Sequence, residues 1–173
     1  SLSRFPSAAY FARALPMSAI RILDSVFLDR LAAEAAAAPR RRKNFNLHAA
    51  NEYPCQRFFN ALCADSYVQP HRHADATKDE TLVLLRGRLG AVIFDEVGQV
   101  VSADVLRPGQ TADVPHGTFH TWFALEDGTI FFEAKAGPYV PLAPQEKASF
   151  APPEGDPRAP EYLAWLKSLC AAR

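Results

Sequence analysis

Cysteine is scarce in this chain, and the few cysteines show no pairing pattern. The 173 residues contain only three, at Cys55, Cys63 and Cys170. An odd number without a close pair excludes a disulfide framework and argues against a thiolate metal site. The composition therefore predicts a protein of the reducing cytoplasm.

Net charge and long apolar runs are also missing. Nineteen Lys and Arg balance nineteen Asp and Glu, which argues against a nucleic-acid partner held through phosphates. No apolar run approaches the roughly 18 residues that cross a bilayer, so no membrane partner is expected. The 49% of apolar residues predicts a folded domain rather than a disordered chain. A small molecule is the expected partner, and a homodimer is left open.

Proline and turn residues predict many short strands with a helix at each end. The fourteen prolines are too many for a helical bundle, because proline breaks helices. Apolar spacing predicts a helix over residues 24–37, capped by Asp24 or Ser25, and a short one from Pro160 onward. Between them, regular short strands indicate an antiparallel sandwich or barrel. The predicted strands are residues 56–62, 66–73, 80–86, 88–95, 99–106, 111–115, 118–125 and 129–136.

Four segments follow from this pattern. Residues 1–16 are expected to be an extension, or a segment foreign to the native gene, because Met17 is the only methionine. Residues 17–43 hold the N-terminal helix and a basic turn, residues 44–136 the barrel, and residues 137–173 a loop and the C-terminal helix. The basic turn, Arg40 to Lys43, is interpreted as a solvated helix end in preference to a phosphate-binding patch.

Histidines are the residues that point to chemistry. His71 and His73 share a face if their segment is a strand, and a hairpin return brings Glu80 beside them. A turn shaped by Pro115 and Gly117 delivers His120 to the start of another strand. Three imidazoles and a carboxylate suit one divalent transition metal, Fe, Zn, Mn or Ni. Asp79 and Asp75 remain substitutes for Glu80 as the carboxylate ligand, whereas His116 is expected to be a loop residue.

These residues resemble the two motifs of the cupins, which are small antiparallel barrels. In the first motif, His71, His73, Glu80 and Gly87 match, Asp65 replaces the initial glycine, and the gap before Glu80 is longer than usual. In the second motif, Gly109, Pro115, Gly117 and His120 match, and Ala124 replaces the final asparagine. The resemblance implies an all-β fold, a single antiparallel cupin barrel of the double-stranded β-helix or jelly-roll type with a short N-terminal and a short C-terminal helix. It also implies one metal ion on His71, His73, Glu80 and His120.

A closer resemblance covers most of the chain. The segments RRRKNFNLH (40–48), YVQPHRH (67–73), DETLVLLRG (79–87) and EAKAGPY (133–139) look like the WbuC family of cupin-fold metalloproteins, found in bacterial O-antigen gene clusters. This resemblance implies a metal site and sugar chemistry, but it supplies no reaction and no catalytic residue.

Five further residues are candidates for substrate contact. Gln69 shares the predicted strand face of the two histidines, and Trp122 shares that of His120. Glu133 and Lys135 alternate with apolar neighbours and lie either outside as a charged pair or inside near the metal. His48 is interpreted first as a surface or hydrogen-bonded residue and, from the family segment, as a cavity residue.

Three functions stay open at this point. The first is a metal-dependent enzyme, an isomerase or epimerase, acting on a sugar or sugar nucleotide of surface-polysaccharide biosynthesis. The second is an oxygen-using non-haem iron enzyme, for which Phe119, Trp122 and Phe131 would form an apolar lining. The third is a non-catalytic module that senses a small molecule or a metal. A titratable group beside the metal would distinguish an enzyme from a sensor.

Overall fold

The computed structural model describes residues 20–171 of the chain. The expected extension over residues 1–16 lies outside the described residues. The described part contains two α-helices, eight strands and a 3-10 turn at Pro144–Glu146. The helices and strands are α1 Ser25–Ala37, β1 Arg42–Asn46, β2 Cys55–Leu62, β3 Glu80–Arg86, β4 Leu89–Phe94, β5 Val100–Leu106, β6 Thr111–Val114, β7 Phe119–Ala124, β8 Thr129–Ala136 and α2 Ala159–Cys170.

The strands form two antiparallel sheets, ordered β1-β2-β8-β3-β6 and β5-β4-β7. Pairing is nested along the chain, because β3 pairs with β8 and β4 pairs with β7. The connections β3–β4, β5–β6, β6–β7 and β7–β8 each pass from one sheet to the other. This topology is that of a jelly-roll barrel of the cupin type, which confirms the predicted fold class.

The helix α1, the larger sheet, the smaller sheet and α2 form four successive layers. Apolar side chains fill the three spaces between them. Leu82 and Leu84 of the larger sheet meet Leu89 and Trp122 of the smaller one in the barrel interior. The helix α1 covers the outer face of the larger sheet, and α2 covers the outer face of the smaller sheet. Both outer sheet faces are therefore covered by helices. Polar side chains on the inner faces lie beyond the apolar interior cluster.

Both helices follow the sequence prediction. The Asp24 carboxylate accepts a hydrogen bond from the Phe27 amide at 3.1 Å and caps α1, as predicted. The helix α2 begins at Ala159 with Pro160 in its first turn, and it buries Leu163 and Leu166. Neither helix in the described part of the chain is long and apolar enough to cross a membrane.

The prediction of a strand over residues 66–73 is wrong. Only His71 in this segment forms a β-bridge, to His120 and to Lys147. Side chains occupy the carbonyls that a strand would use, since Arg42 donates to the Tyr67 oxygen and Thr121 to the Val68 oxygen. Pro70 also lacks the N–H that a ladder requires.

The strand β1 is absent from the predicted strands and begins within the predicted basic turn. The basic turn ends at Arg41, which adopts a left-handed φ of 56°, and Arg42 already begins β1. There, Asn44 pairs with Asn60 of β2. The signal was weak because Phe45 is the only apolar residue of the strand, so no apolar alternation marks it.

Candidate metal centre

His71 and His120 are joined by their backbones. The His71 amide donates to the His120 oxygen at 3.0 Å, and the His120 amide donates to the His71 oxygen at 2.9 Å. Their imidazole rings consequently lie side by side, with ring centres 4.7 Å apart. The irregular segment therefore presents His71 to the start of β7 even though it is not a strand.

His73 and Glu80 complete the group. The amide of Gly117 donates to the His73 oxygen at 2.7 Å, which ties His73 to the turn before His120. Glu80 opens β3 with its side chain turned inward and is only 3% exposed. Its Oε2 lies 2.8 Å from His73 Nε2 and 3.5 Å from His120 Nε2.

The four side chains converge on one point. Each contributes one ligand atom, and these atoms all lie within 4.8 Å of one another. His73 Nε2, His120 Nε2 and Glu80 Oε2 are buried and lack a hydrogen bond among the described residues, because their close contacts are not aligned for one. Buried polar atoms are rarely left in this state. Three imidazoles and a carboxylate are a suitable donor set for a divalent transition metal, so the residues fit such an ion.

Backbone carbonyls select the imidazole tautomer that a metal needs. His71 Nδ1 lies 3.0 Å from the Gln69 oxygen, and His120 Nδ1 lies 2.9 Å from the Thr118 oxygen. A neutral ring that donates through Nδ1 leaves the Nε2 lone pair free. Burial, reinforced by the nearby His120, lowers the pKa of His71 to about 3, so this imidazole is neutral at pH 7.

Asp79, the proposed substitute for Glu80, points away from the group. Its side chain is 58% exposed and accepts hydrogen bonds from the His116 amide and from His116 Nδ1, both at 2.8 Å. His116 is accordingly a loop residue that pairs with Asp79. The second substitute, Asp75, accepts hydrogen bonds from Thr77 in the exposed loop. The structure therefore brings only Glu80 of the three carboxylates to the histidines.

Replacing Glu80 with glutamine is expected to lower metal affinity by at least about tenfold, some 1.4 kcal/mol. The amide removes the negative charge that faces His73 and His120. Asp79→Asn, the matched control one residue away, is expected to leave the affinity near that of the wild type. Competition with a chelating indicator measures both variants. The opposite ranking would contradict the ligand set.

A cavity of about 450 Å³ opens beside this group. Its floor includes His71 and Glu80, and its walls come from the inner faces of β1, β2 and β8 opposite Trp122 of β7. The larger sheet has two more strands than the smaller one, which leaves these inner faces without an apolar partner layer. The cavity is therefore a product of the unequal sheets.

Glu133 and Lys135 face into the cavity. Strand register places Lys135 directly opposite Glu80 and Glu133 opposite Leu82. Lys135 Nζ lies 3.0 Å from Glu133 Oε1 and 3.9 Å from Glu80 Oε2. Asn60 Nδ2 donates to Glu133 Oε2 at 2.9 Å. Of the two arrangements left open by the sequence, the inward one is present.

The two buried carboxyl groups differ in their protonation. Burial opposes ionisation of Glu80, but His120, His73 and Lys135 outweigh it and hold the pKa of Glu80 well below its ordinary value. Burial, with the Glu80 charge close by, raises the pKa of Glu133 well above its ordinary value, although Lys135 opposes this. Glu80 is therefore held as a carboxylate that suits a metal ion, and Glu133 is the more basic of the two groups.

The remaining candidates divide between cavity and core. Trp122 lines the cavity and packs on His120, with ring centres 5.6 Å apart. His48 is buried and lines the far wall, where its Nδ1 lies 3.0 Å from the Arg57 amide. Phe131 also lines the cavity, whereas Phe119 belongs to the core under α2.

Gln69 is not among the described residues that line the cavity, contrary to the expectation that it shares the histidine face. Its amide donates to the Ala148 oxygen at 3.1 Å. The strand alternation on which the expectation depended does not exist in this segment. Sequence reasoning also missed the amide wall of Asn44, Asn46 and Asn60. The NFN alternation within residues 44–46 was the available signal for the first two.

Comparisons with known proteins leave the reaction of this chain open. The family described as "Domain of unknown function (DUF6016)" matches residues 23–106, slightly less than half of the chain. No curated protein matches this sequence significantly. Among solved structures, KdgF from Halomonas sp. is 16% identical with a TM-score of 0.48, over 60% of this chain and 84% of that one.

Two further solved structures also resemble this chain, with low sequence identity and TM-scores below 0.5. A cupin superfamily protein from Desulfitobacterium hafniense is 14% identical with a TM-score of 0.48, over 61% of this chain and 86% of that one. A cupin-2 domain protein from Shewanella frigidimarina is 19% identical with a TM-score of 0.43, over 55% and 80%. Because these identities and TM-scores are low, the fold is assigned from the strand topology. The candidate metal site is assigned from the geometry of its side chains. The chain is a cupin-type barrel with a group of residues suited to a metal ion.

Proposed function

We propose that this protein is a metal-dependent enzyme that acts on a small oxygen-rich molecule, a sugar or a sugar nucleotide. The supporting observation is that Glu133 and Lys135 line the same cavity as His71 and Glu80. A sensor requires only groups that hold its ligand, whereas an enzyme requires a titratable group beside the reacting atoms. Two such groups within one buried cavity favour the enzyme.

His71, His73, Glu80 and His120 would hold the metal ion. A divalent ion on these residues would polarise an oxygen atom of the substrate as a Lewis acid.

Glu133 has the position of an acid–base group. Isomerisation or epimerisation removes a carbon-bound proton and returns it to the same or a neighbouring carbon. Oε1 of an ionised Glu133 accepts that proton and delivers it to the neighbouring carbon, as an isomerisation requires, while Asn60 holds Oε2 in place. Lys135 lies 3.0 Å from Oε1 and balances the charge on the carboxylate while the proton is on the substrate.

The resemblance to the WbuC family supports a role in bacterial surface-polysaccharide biosynthesis. All four segments that carry the resemblance contribute residues to the cavity lining. The segment over residues 40–48 forms its rim and the segment over residues 133–139 supplies Glu133 and Lys135. A second candidate is an oxygen-using iron enzyme, which the apolar surfaces of Trp122 and Phe131 favour.

The experiment combines metal analysis with proton exchange. Elemental analysis identifies the ion, and the metal-loaded protein is then incubated in D₂O with a panel of sugar nucleotides and followed by proton NMR. Deuterium at a carbon of one sugar supports the proposal. Oxygen consumption under iron loading favours the second candidate instead, and ligand binding with neither signal contradicts catalysis.

A further inference from the structure

The cavity is more positive than the chain that forms it. Its lining contains four basic side chains, Arg40, Arg42, Lys43 and Lys135, but only two acidic ones. The whole chain has nineteen of each. A concave surface with one excess charge concentrates ligands of the opposite sign, and a bound divalent cation would increase the excess. The lining therefore favours an anion.

The basic groups at the rim are held in place rather than neutralised. Glu154 pairs with Arg40 through one oxygen at 3.0 Å and with Arg42 through the other. A single carboxylate against two guanidinium groups leaves one positive charge. Arg42 is also fixed by donation to the Tyr67 oxygen at 2.9 Å. Arg40 remains 67% exposed, so an incoming anion can reach it.

The walls between rim and floor are polar and largely uncharged. Asn44 and Asn46 point inward from β1, and Asn60 points inward from β2. Amides offer both donors and acceptors, which matches hydroxyl groups that also do both.

Trp122 gives a second, independent sign of a ligand. The residue is 5% exposed, and its Nε1 has no hydrogen-bond partner among the described residues. A buried donor without a hydrogen-bond partner destabilises the folded protein. Since the side chain lines the cavity, an acceptor oxygen of a bound ligand would satisfy it.

We propose that the cavity binds a small anionic polyol, a polyhydroxylated carbon skeleton that bears one carboxylate or phosphate. Its hydroxyl oxygens lie between Trp122 and the amide wall, and its anionic group faces Arg40 and Lys43 at the rim. This inference rests on the proposed function and names the substrate class of the same site.

The test compares probes that differ in one property, with metal-loaded protein and isothermal titration calorimetry. Sorbitol is the neutral polyol, gluconate and glucose 6-phosphate are the anionic polyols, and acetate and inorganic phosphate are anions without hydroxyl chains. Gluconate or glucose 6-phosphate is expected to bind at least about tenfold more tightly than sorbitol and than its own simple anion. The better of the two identifies the anionic group.

Two double variants locate the charge effect. Arg40→Gln with Lys43→Gln removes two rim charges and is expected to lower affinity for the preferred anionic polyol about tenfold. Arg88→Gln with Arg107→Gln removes the same charge from exposed positions outside the cavity and is expected to leave it unchanged. A third variant, Trp122→Phe, keeps the ring but removes the N–H, and is expected to weaken the anionic polyols and sorbitol by a similar factor.

Several results would overturn the inference. They are equal binding of sorbitol, equal binding of the simple anions, no binding by any probe at millimolar concentration, or equal losses in the two double variants. Turnover of a neutral sugar without preference for an anionic one would contradict this inference and leave the proposed function standing. If the wild-type protein binds no metal, that result would instead contradict the proposed function.

Discussion

Replacing His120 with alanine is expected to weaken metal binding by at least about a hundredfold, some 2.7 kcal/mol. Its imidazole is 2% exposed and 3.5 Å from Glu80 Oε2, and the Nδ1 contact with the Thr118 oxygen directs Nε2 toward the other ligands. Even residues that only orient a ligand cost 10–100-fold when they are changed. Elemental analysis after dialysis and competition with a chelating indicator measure the loss.

His116→Ala is the matched control for this prediction. His116 lies four residues earlier in the same turn, with its side chain 44% exposed and paired with Asp79. We expect it to retain a full equivalent of metal. Both variants are expected to stay folded by circular dichroism, because the interior core around Leu82 and Leu84 does not depend on the ion. If His120→Ala fails to fold, His71→Ala applies the same test. Stoichiometric metal in His120→Ala or in His71→Ala would contradict the site.

Glu133→Gln is expected to reduce turnover about a hundredfold or more while metal affinity stays within a small factor of wild type. General acid–base catalysis contributes about 10²–10⁴-fold to rates, and glutamine cannot exchange a proton at that position. The substitution keeps the shape of the side chain and an oxygen for the hydrogen bond from Asn60. The rate of deuterium incorporation into the preferred sugar is the measurement.

Glu126→Gln provides the control for charge. Glu126 is 52% exposed and pairs with Arg88 outside the cavity, so its change is expected to leave the rate unaltered. A parallel fall of rate and metal content in Glu133→Gln would assign Glu133 to metal retention. An unchanged rate would remove it from the mechanism.

Much of the fold was predictable because it depends on local patterns. Asp24 before an apolar helical stripe, and Pro160 at the start of another, indicate α1 and α2 by capping and backbone restriction. Alternating apolar residues and turn signals indicate β2 to β8 to within about two residues at each end. The one false strand, over residues 66–73, failed because tertiary hydrogen bonds from Arg42 and Thr121 took its carbonyls.

The spacing of His71, His73, Glu80 and His120 was sufficient to predict that these residues would meet. His71 and His73 are two residues apart and His120 follows a tight turn, so the backbone has few alternatives. The strand register of Glu80 also follows from sequence, since Leu82 and Leu84 must be buried and share its face.

The remainder of the site was decided only by tertiary structure. Lys135 reaches Glu80, and Asn60 reaches Glu133, through register between strands far apart in sequence. Both faces of β8 are partly apolar, so no pattern within it could show which face is inward. The sequence by itself determined the barrel, its helices and the histidine group, because local propensity and short-range spacing control them. Only the packing of unequal sheets determined the cavity, its basic rim and the inward charges of β8, because those depend on which distant strands become neighbours.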